Sequence, residues 1–142
     1  MTGIRNLTAL LSEMRPELRD GTYVYCTVSG SDIGGRLVLQ PLAVFIEEEG
    51  LTLILDRDTA VATGFDAGAP MRCITLMVHS SLEAVGLTAA VATELTRHGI
   101  SANVVAAYYH DHIFVPESDA ESALAALKGL AQSARSGRLP EV

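Results

Sequence analysis

The feature that most narrows the fold is an order of elements that occurs twice. Residues 44–63 and 104–127 each read strand, turn, strand, acidic cap, helix. In the first copy, aliphatic and β-branched runs at 42–48 and 51–56 flank Glu49-Gly50, a hairpin signal, and Asp56 stands ready to cap a short helix that Gly64 can end. In the second, 100–109 and 113–115 read as strands joined at His110-Asp111-His112, and Pro116 stops the later one. Ser118 and Glu121 then have capping-box spacing before a helix whose Leu124, Leu127, Leu130 and Ala131 face inward. A hairpin backed by one helix cannot bury its apolar face alone, so the repeat predicts paired ferredoxin-like half-units (βαββαβ): an α+β sandwich with antiparallel sheets and helices on one face.

The flanking segments fit this frame. Ile4, Leu7, Leu10, Leu11 and Met14 recur at helical spacing until Pro16 intervenes, which predicts a first helix ending at Met14 or Arg15. Residues 22–28 alternate, with Val24, Cys26 and Val28 on one face of a half-buried strand. Ser, Gly and Asp crowd 29–35, which reads as a loop, and 72–78 is strand-like. Leu87, Val91 and Leu95 form an i, i+4, i+8 stripe on a helix closed by His98-Gly99. The composition shift at 65–70 marks a boundary. The expected organisation is an abbreviated first module over 1–68, a second over 69–132 and a flexible tail over 133–142.

Composition excludes several classes of function. The chain has 142 residues, enough to bury roughly 68–70% of its unfolded surface, and 49% of them are hydrophobic. Aromatic residues are only 5% and Trp is absent, so the core is expected to be aliphatic. A net charge of -7 without a Lys or Arg cluster lacks the electrostatic footprint that nucleic acid or an anionic membrane requires. No apolar run is long enough to span a bilayer, and the first residues do not read as a signal peptide, so a cytoplasmic location is expected. Cys26 and Cys73 lie in strand-like runs and read as small buried hydrophobes.

The segment from Ile74 to Val115 carries His79-Ser80-Ser81-Leu82-Glu83-Ala84-Val85-Gly86-Leu87-Thr88-Ala89 and, further on, Gly99-Ile100-Ser101-Ala102-Asn103-Val104. It resembles the ACT modules at the end of aspartate kinases, and the whole chain is similar to small stand-alone proteins with tandem ACT-like halves. By this resemblance, Gly86 matches the loop glycine and Asn103 the polar residue of the return strand, while Val85 stands where the aspartate kinase pattern has proline. The resemblance implies a non-catalytic regulatory or sensory protein without a cofactor. It further implies that His79, Ser80, Ser81, Val85, Gly86, Leu87, Asn103 and Val104 hold a small ligand, an amino acid, and that the chain pairs as a homodimer. A helix N-terminus behind a glycine is physically suited to a carboxylate. Val at position 86 is expected to abolish binding and leave the fold intact. The alternative at this point is that Ser80 and Glu83 only cap the helix, in a structural or protein-interaction module.

His79 with His110-Asp111-His112 offers imidazole and carboxylate groups to a metal-dependent enzyme, but no Cys pair or helical histidine pair accompanies them, and no metal site is assigned. Ser80 or Ser81 with a histidine lacks a nucleophile elbow. Residues 30–35 lack the glycine register and the Lys of a nucleotide loop. Tyr108 and Tyr109, adjacent on one strand, are expected to face opposite sides, one of them into the core and the other toward a partner or pocket.

Overall fold

The computed structural model describes residues 6–66, 68–79 and 84–138. In chain order they form α1 (Leu7–Glu13), β1 (Pro16–Leu18), β2 (Tyr23–Val28), α2 (Ile33–Leu37), β3 (Ala43–Glu47), β4 (Gly50–Asp56), α3 (Arg57–Ala62), β5 (Met71–Leu76), α4 (Leu87–Arg97), β6 (Asn103–Ala106), β7 (Asp111–Pro116), a single 3-10 turn (Glu117–Asp119) and α5 (Ala120–Arg135). Strand pairing is antiparallel in each registered ladder. The α+β architecture with tandem ferredoxin-like modules is thus the observed one.

Two compact units divide the chain: Asp20–Arg72 forms one, and Met1–Arg19 together with Cys73–Val142 forms the other. Sequence order alone assigns residues 1–19 to the first module, whereas in the structure they fold with the second. The reason is strand count. Among the described residues from Met71 onward the chain supplies only β5, β6 and β7, one strand short of a ferredoxin-like sheet. β1 fills that place, pairing with β5 as Pro16↔Leu76, Glu17↔Thr75 and Leu18↔Ile74, to give the order β1-β5-β7-β6. Backbone bonds from Met77 N to Arg15 O (3.1 Å) and from Arg19 N to Cys73 O (2.9 Å) extend the ladder at both ends.

Side chains two residues apart point the same way on a strand. Ile74 and Leu76 of β5 and Ile113 and Val115 of β7 therefore share a face, and against it pack Leu10 and Leu11 of α1, Leu87, Val91 and Leu95 of α4, and Leu127 and Leu130 of α5. α1 lies against both α5 and α4. Its start is fixed by Asn6, whose Oδ1 accepts from Ala9 N at 3.0 Å.

The smaller unit is a compressed version of the same plan. β2 pairs with β4 from Tyr23↔Asp56 to Val28↔Leu51, β3 pairs with β4, and Met71 pairs with Tyr23. Val24, Cys26, Leu53, Leu55 and Ala60 form its core. Asp56 caps α3 as the sequence suggests, accepting from Asp58 N at 3.1 Å and Thr59 N at 3.3 Å. The stretch read as a loop at 29–35 instead starts the five-residue α2, because Asp32 Oδ1 accepts from Gly35 N at 3.0 Å and so nucleates a turn that two glycines would otherwise disfavour.

Three further expectations are corrected. The His110-Asp111-His112 turn is displaced: Asp111 and His112 already belong to β7, and the reversal is made by 107–110, where Ala107 N donates to His110 O at 3.0 Å. The Ser118–Glu121 capping box does not form, since the 3-10 turn lies between Pro116 and α5 and Asp119 takes the cap position without a side-chain bond. The tail does not begin at 133: α5 continues to Arg135, Ala134 is buried, and Arg135 Nη1 donates to Ser12 O at 2.9 Å; residues 139–142 lie outside the described residues.

Because α1 belongs to the core of the larger unit, Leu10→Ala is expected to lower the unfolding free energy by about 2–5 kcal/mol, measured by urea denaturation. A loss near zero would contradict this packing, since Leu10 is fully buried.

Candidate functional site

β5 leaves the sheet through Met77, Val78 and His79, and the chain re-enters description at Ala84. Ser80 and Ser81 lie outside the described residues. Gly86 then takes the cap position of α4 with φ +101°, and its carbonyl accepts from Ala90 N at 2.9 Å. Among the described residues no side chain caps this helix start, and no acidic residue stands in its first turn. The positive end of an eleven-residue helix is thus left without an acceptor from its own cap residue.

Gly86 is needed for two reasons. Its φ lies in the region that L side chains rarely adopt. A Cβ there would also lie 3.2 Å from Leu7 Cδ2 and 3.6 Å from Cδ1, so the helix entry sits directly against α1. The expectation that valine could replace it without harm to the fold is therefore overturned.

The hairpin end of β6 and β7 meets His79, where the chain leaves β5. The rings of His79 and Tyr109 have centroids 5.9 Å apart, and Tyr108 stacks edge-on against Tyr109 at 5.0 Å. His110 follows, 6.5 Å from Tyr109 and 6.4 Å from His112. Tyr108 and Tyr109 are 68% and 63% exposed, so neither enters the core. The tyrosines read as strand because of their β-propensity, yet they form the turn, and their local pair at T-shaped geometry holds two aromatic faces out toward solvent. Sequence reasoning sent one of the two into the core and the other toward a partner or pocket, and joined neither to the ligand site; five consecutive polar or aromatic residues before a fresh apolar run, Tyr108-Tyr109-His110-Asp111-His112, were the available signal.

The remaining expected residues are distributed as follows. Val85 is 84% exposed beside Gly86, while Leu87 is buried in the helix-sheet core. Asn103 opens β6 opposite Phe114, straight after the loop that leaves the C-terminus of α4. Eleven residues of helix rise about 16 Å, so Asn103 belongs to the end of the unit away from Gly86. Val104 packs on the core from a partly buried position.

Beneath the ring cluster runs a buried polar line. Thr75 Oγ1 and His112 Nδ1 are 2.9 Å apart across β5 and β7, and Cys73 Sγ is 4.0 Å from the same hydroxyl. Burial pushes the His112 imidazole below its ordinary range, and the positive charges of Arg19 and His110 act in the same direction. Burial raises the Asp111 carboxyl, partly offset by His110. Burial likewise raises the Cys73 thiol, against smaller effects of Thr75, Arg19 and the Ile113 backbone, so it is held as a protonated thiol rather than a nucleophile. Among the described residues no group of three or more His, Cys, Asp or Glu side chains is arranged to hold a metal ion, and no helix is long and apolar enough to cross a membrane.

ACT-domain family models match residues 2–72 and 69–129. The chain belongs to the ACT-domain family, as two tandem domains, and such domains are typically regulatory ligand-binding modules. It is similar to a crystal structure of a protein of unknown function from Vibrio cholerae, described as a possible transport protein, with 54% identity over 92% of this chain and 100% of that one and a TM-score of 0.81. The fold is shared with the regulatory subunit of aspartate kinase from Thermus flavus, at 11% identity over 83% of this chain and 98% of that one with a TM-score of 0.60. It is also shared with Escherichia coli aspartokinase III in complex with aspartate and ADP, at 15% identity, 83% and 33% coverage and a TM-score of 0.62. No curated protein matches the sequence.

Two outcomes follow from the site's own chemistry. Gly86→Ala is expected to cost about 1–2 kcal/mol from the left-handed backbone alone, plus the crowding of Leu7, read as a lowered thermal midpoint; an unchanged midpoint would contradict the geometry. His112 has a folded pKa below its unfolded value, so the unfolded state takes up its proton first and stability falls as pH drops from about 7 through the unfolded histidine range near 6.5. Asp111, shifted upward, works in the opposite sense. The stability advantage of the wild type over His112→Gln is therefore expected to shrink between pH 7 and pH 5, and an advantage that grows on acidification would be the contrary result.

Proposed function

We propose that this protein is a non-catalytic cytoplasmic regulator that binds an amino acid at the entry of α4 and acts as a homodimer. The observation that carries the reading is the N-terminus of α4 behind Gly86, which no side chain among the described residues caps, with the His79 and Tyr109 rings beside one another. Backbone amides at a helix start favour a carboxylate, each such interaction contributing about 0.3–1 kcal/mol. Exposed aromatic faces suit the apolar part of a side chain or an ammonium group. The site comprises His79, Ser80, Ser81, Val85 and Gly86 with Tyr108, Tyr109 and His110; Leu87 and Val104 support it from the core, and Asn103 stands apart from it.

Family membership supports the class of function, since ACT domains are typically regulatory. Escherichia coli aspartokinase III, which shares the fold, is in complex with aspartate and ADP, and this supports an amino acid as the ligand class to test first.

Isothermal calorimetry against the twenty amino acids is the direct test. Heat with a dissociation constant of about 1 mM or tighter, equivalent to about -4 kcal/mol, is expected for at least one. Tyr109→Ala, at an exposed position and so without cost to the fold, is expected to weaken that binding about tenfold. No heat from any amino acid, or full affinity in the variant, would remove this reading of the site.

A further inference from the structure

We infer that the Asp111 carboxylate accepts the ammonium group of the bound amino acid, beside the α4 amides that take its carboxylate, and so selects α-amino acids over other small carboxylates. This rests on the amino acid site of the proposed function and names the group that the site demands of its ligand. Asp111 is 9% exposed, and besides Thr75 it is the only polar or charged side chain buried among the described residues. Thr75 has His112 as a partner at 2.9 Å. Nothing comparable holds Asp111: burial raises its carboxyl, and the one opposing influence is the charge of His110 next to it, with no hydrogen bond contributing. Buried polar side chains are with few exceptions hydrogen-bonded, and a carboxylate buried without a partner is costly.

The place of Asp111 follows from the strand directions. Cys73, Thr75 and His79 meet Ile113, His112 and Tyr109 in that order, so β5 and β7 are antiparallel. β6 is antiparallel to β7 as well, hence it runs the same way as β5, and α4, which joins the end of β5 to the beginning of β6, runs back against both. The start of α4 and the β6–β7 hairpin therefore lie at one end of the unit. β7 stands between β5 and β6 in the sheet, so the connection through α4 crosses it. Ile113 and Val115 point to the helix side, into the core that Leu87 and Val91 of α4 share. Asp111, two residues before Ile113, points the same way. It closes that row on the side and at the end where Gly86 begins α4.

The chain has no cation of its own to offer there. Residues 73–96 and 98–127 contain no Lys or Arg, and Arg15 and Arg19 flank β1, which lies on the far side of β5 from β7. An α-amino acid carries its ammonium and its carboxylate on the same carbon, so a carboxylate seated on the α4 amides brings the ammonium in beside it. Asp111 supplies the opposite charge, and burial strengthens the attraction because little water screens it. A carboxylate without an ammonium meets the reverse condition, two like charges side by side. Asp111 thus rejects plain organic acids as well as holding amino acids, and specificity uses both effects.

The test sets amino acids against their α-hydroxy counterparts. Calorimetry of the full chain uses the twenty amino acids and, for each that binds, the α-hydroxy acid with the same side chain, such as lactate for alanine or malate for aspartate. The wild type is expected to prefer the amino acid by about tenfold or more. Asp111→Asn is expected to lower amino acid affinity about 10- to 100-fold, the share of a hydrogen bond to a charged group, while hydroxy acid affinity holds or rises. The thermal midpoint of ligand-free Asp111→Asn is expected to hold or rise, because the variant removes a buried charge that lacks a partner. A wild type that binds no amino acid would overturn this inference together with the reading it rests on. Equal affinity of the wild type for hydroxy acids, or full amino acid affinity in Asp111→Asn, would overturn the role of Asp111 alone and leave the amino acid site standing. A lowered midpoint would show Asp111 to be held by the chain itself, and would likewise overturn its role while leaving the site.

Discussion

The pairing of β1 with β5 is the contact on which the larger unit depends. Without it, β5, β6 and β7 form a three-stranded sheet whose outer edge lies open beside the segment leading to the α4 entry. With it, α1 is brought onto α4 and α5, and Leu7 comes to lie beneath Gly86. The residues that shape the candidate site are therefore about eighty positions away in sequence from the residues that support it. A local change in α1 is a change in the floor of the site.

That arrangement also explains which chemistry the unit can support. Its polar groups near the sheet, Thr75 and His112, satisfy one another, and burial disfavours charge on both His112 and Cys73. Among the described residues no group of three or more His, Cys, Asp or Glu side chains is arranged to hold a metal ion, and the rings of His79, Tyr108 and Tyr109 lie together at the hairpin end of β6 and β7.

Much of the fold was legible from local pattern. The Leu87, Val91, Leu95 stripe is the buried face of α4, and Asp56 caps α3 as its position suggests. Alternation in 22–28 matches the burial of Val24 and Cys26 in β2. Legibility failed where a long-range or backbone term decided the outcome. The place of residues 1–19 is set by a missing strand, which periodicity does not report. The Tyr108-Tyr109 turn defied strand propensity because the reversal is fixed by the Ala107–His110 bond and by the register of β7 on β6. Asp32 converted a glycine-rich stretch into a helix through one cap. At the site, the glycine signal at 86 was readable but its dependence on Leu7 was not, and the aromatic pair was overlooked because it was assigned to a strand.

Amide-resolved nuclear magnetic resonance on nitrogen-labelled protein, titrated with the twenty amino acids at about 1 mM each, tests the central claim most directly. Shifts concentrated on the amides of Leu87, Thr88 and Ala89 and on Tyr109, with β3 and β4 unmoved, are the expected result. Silent amides at the start of α4, or shifts gathered in the smaller unit instead, would contradict it.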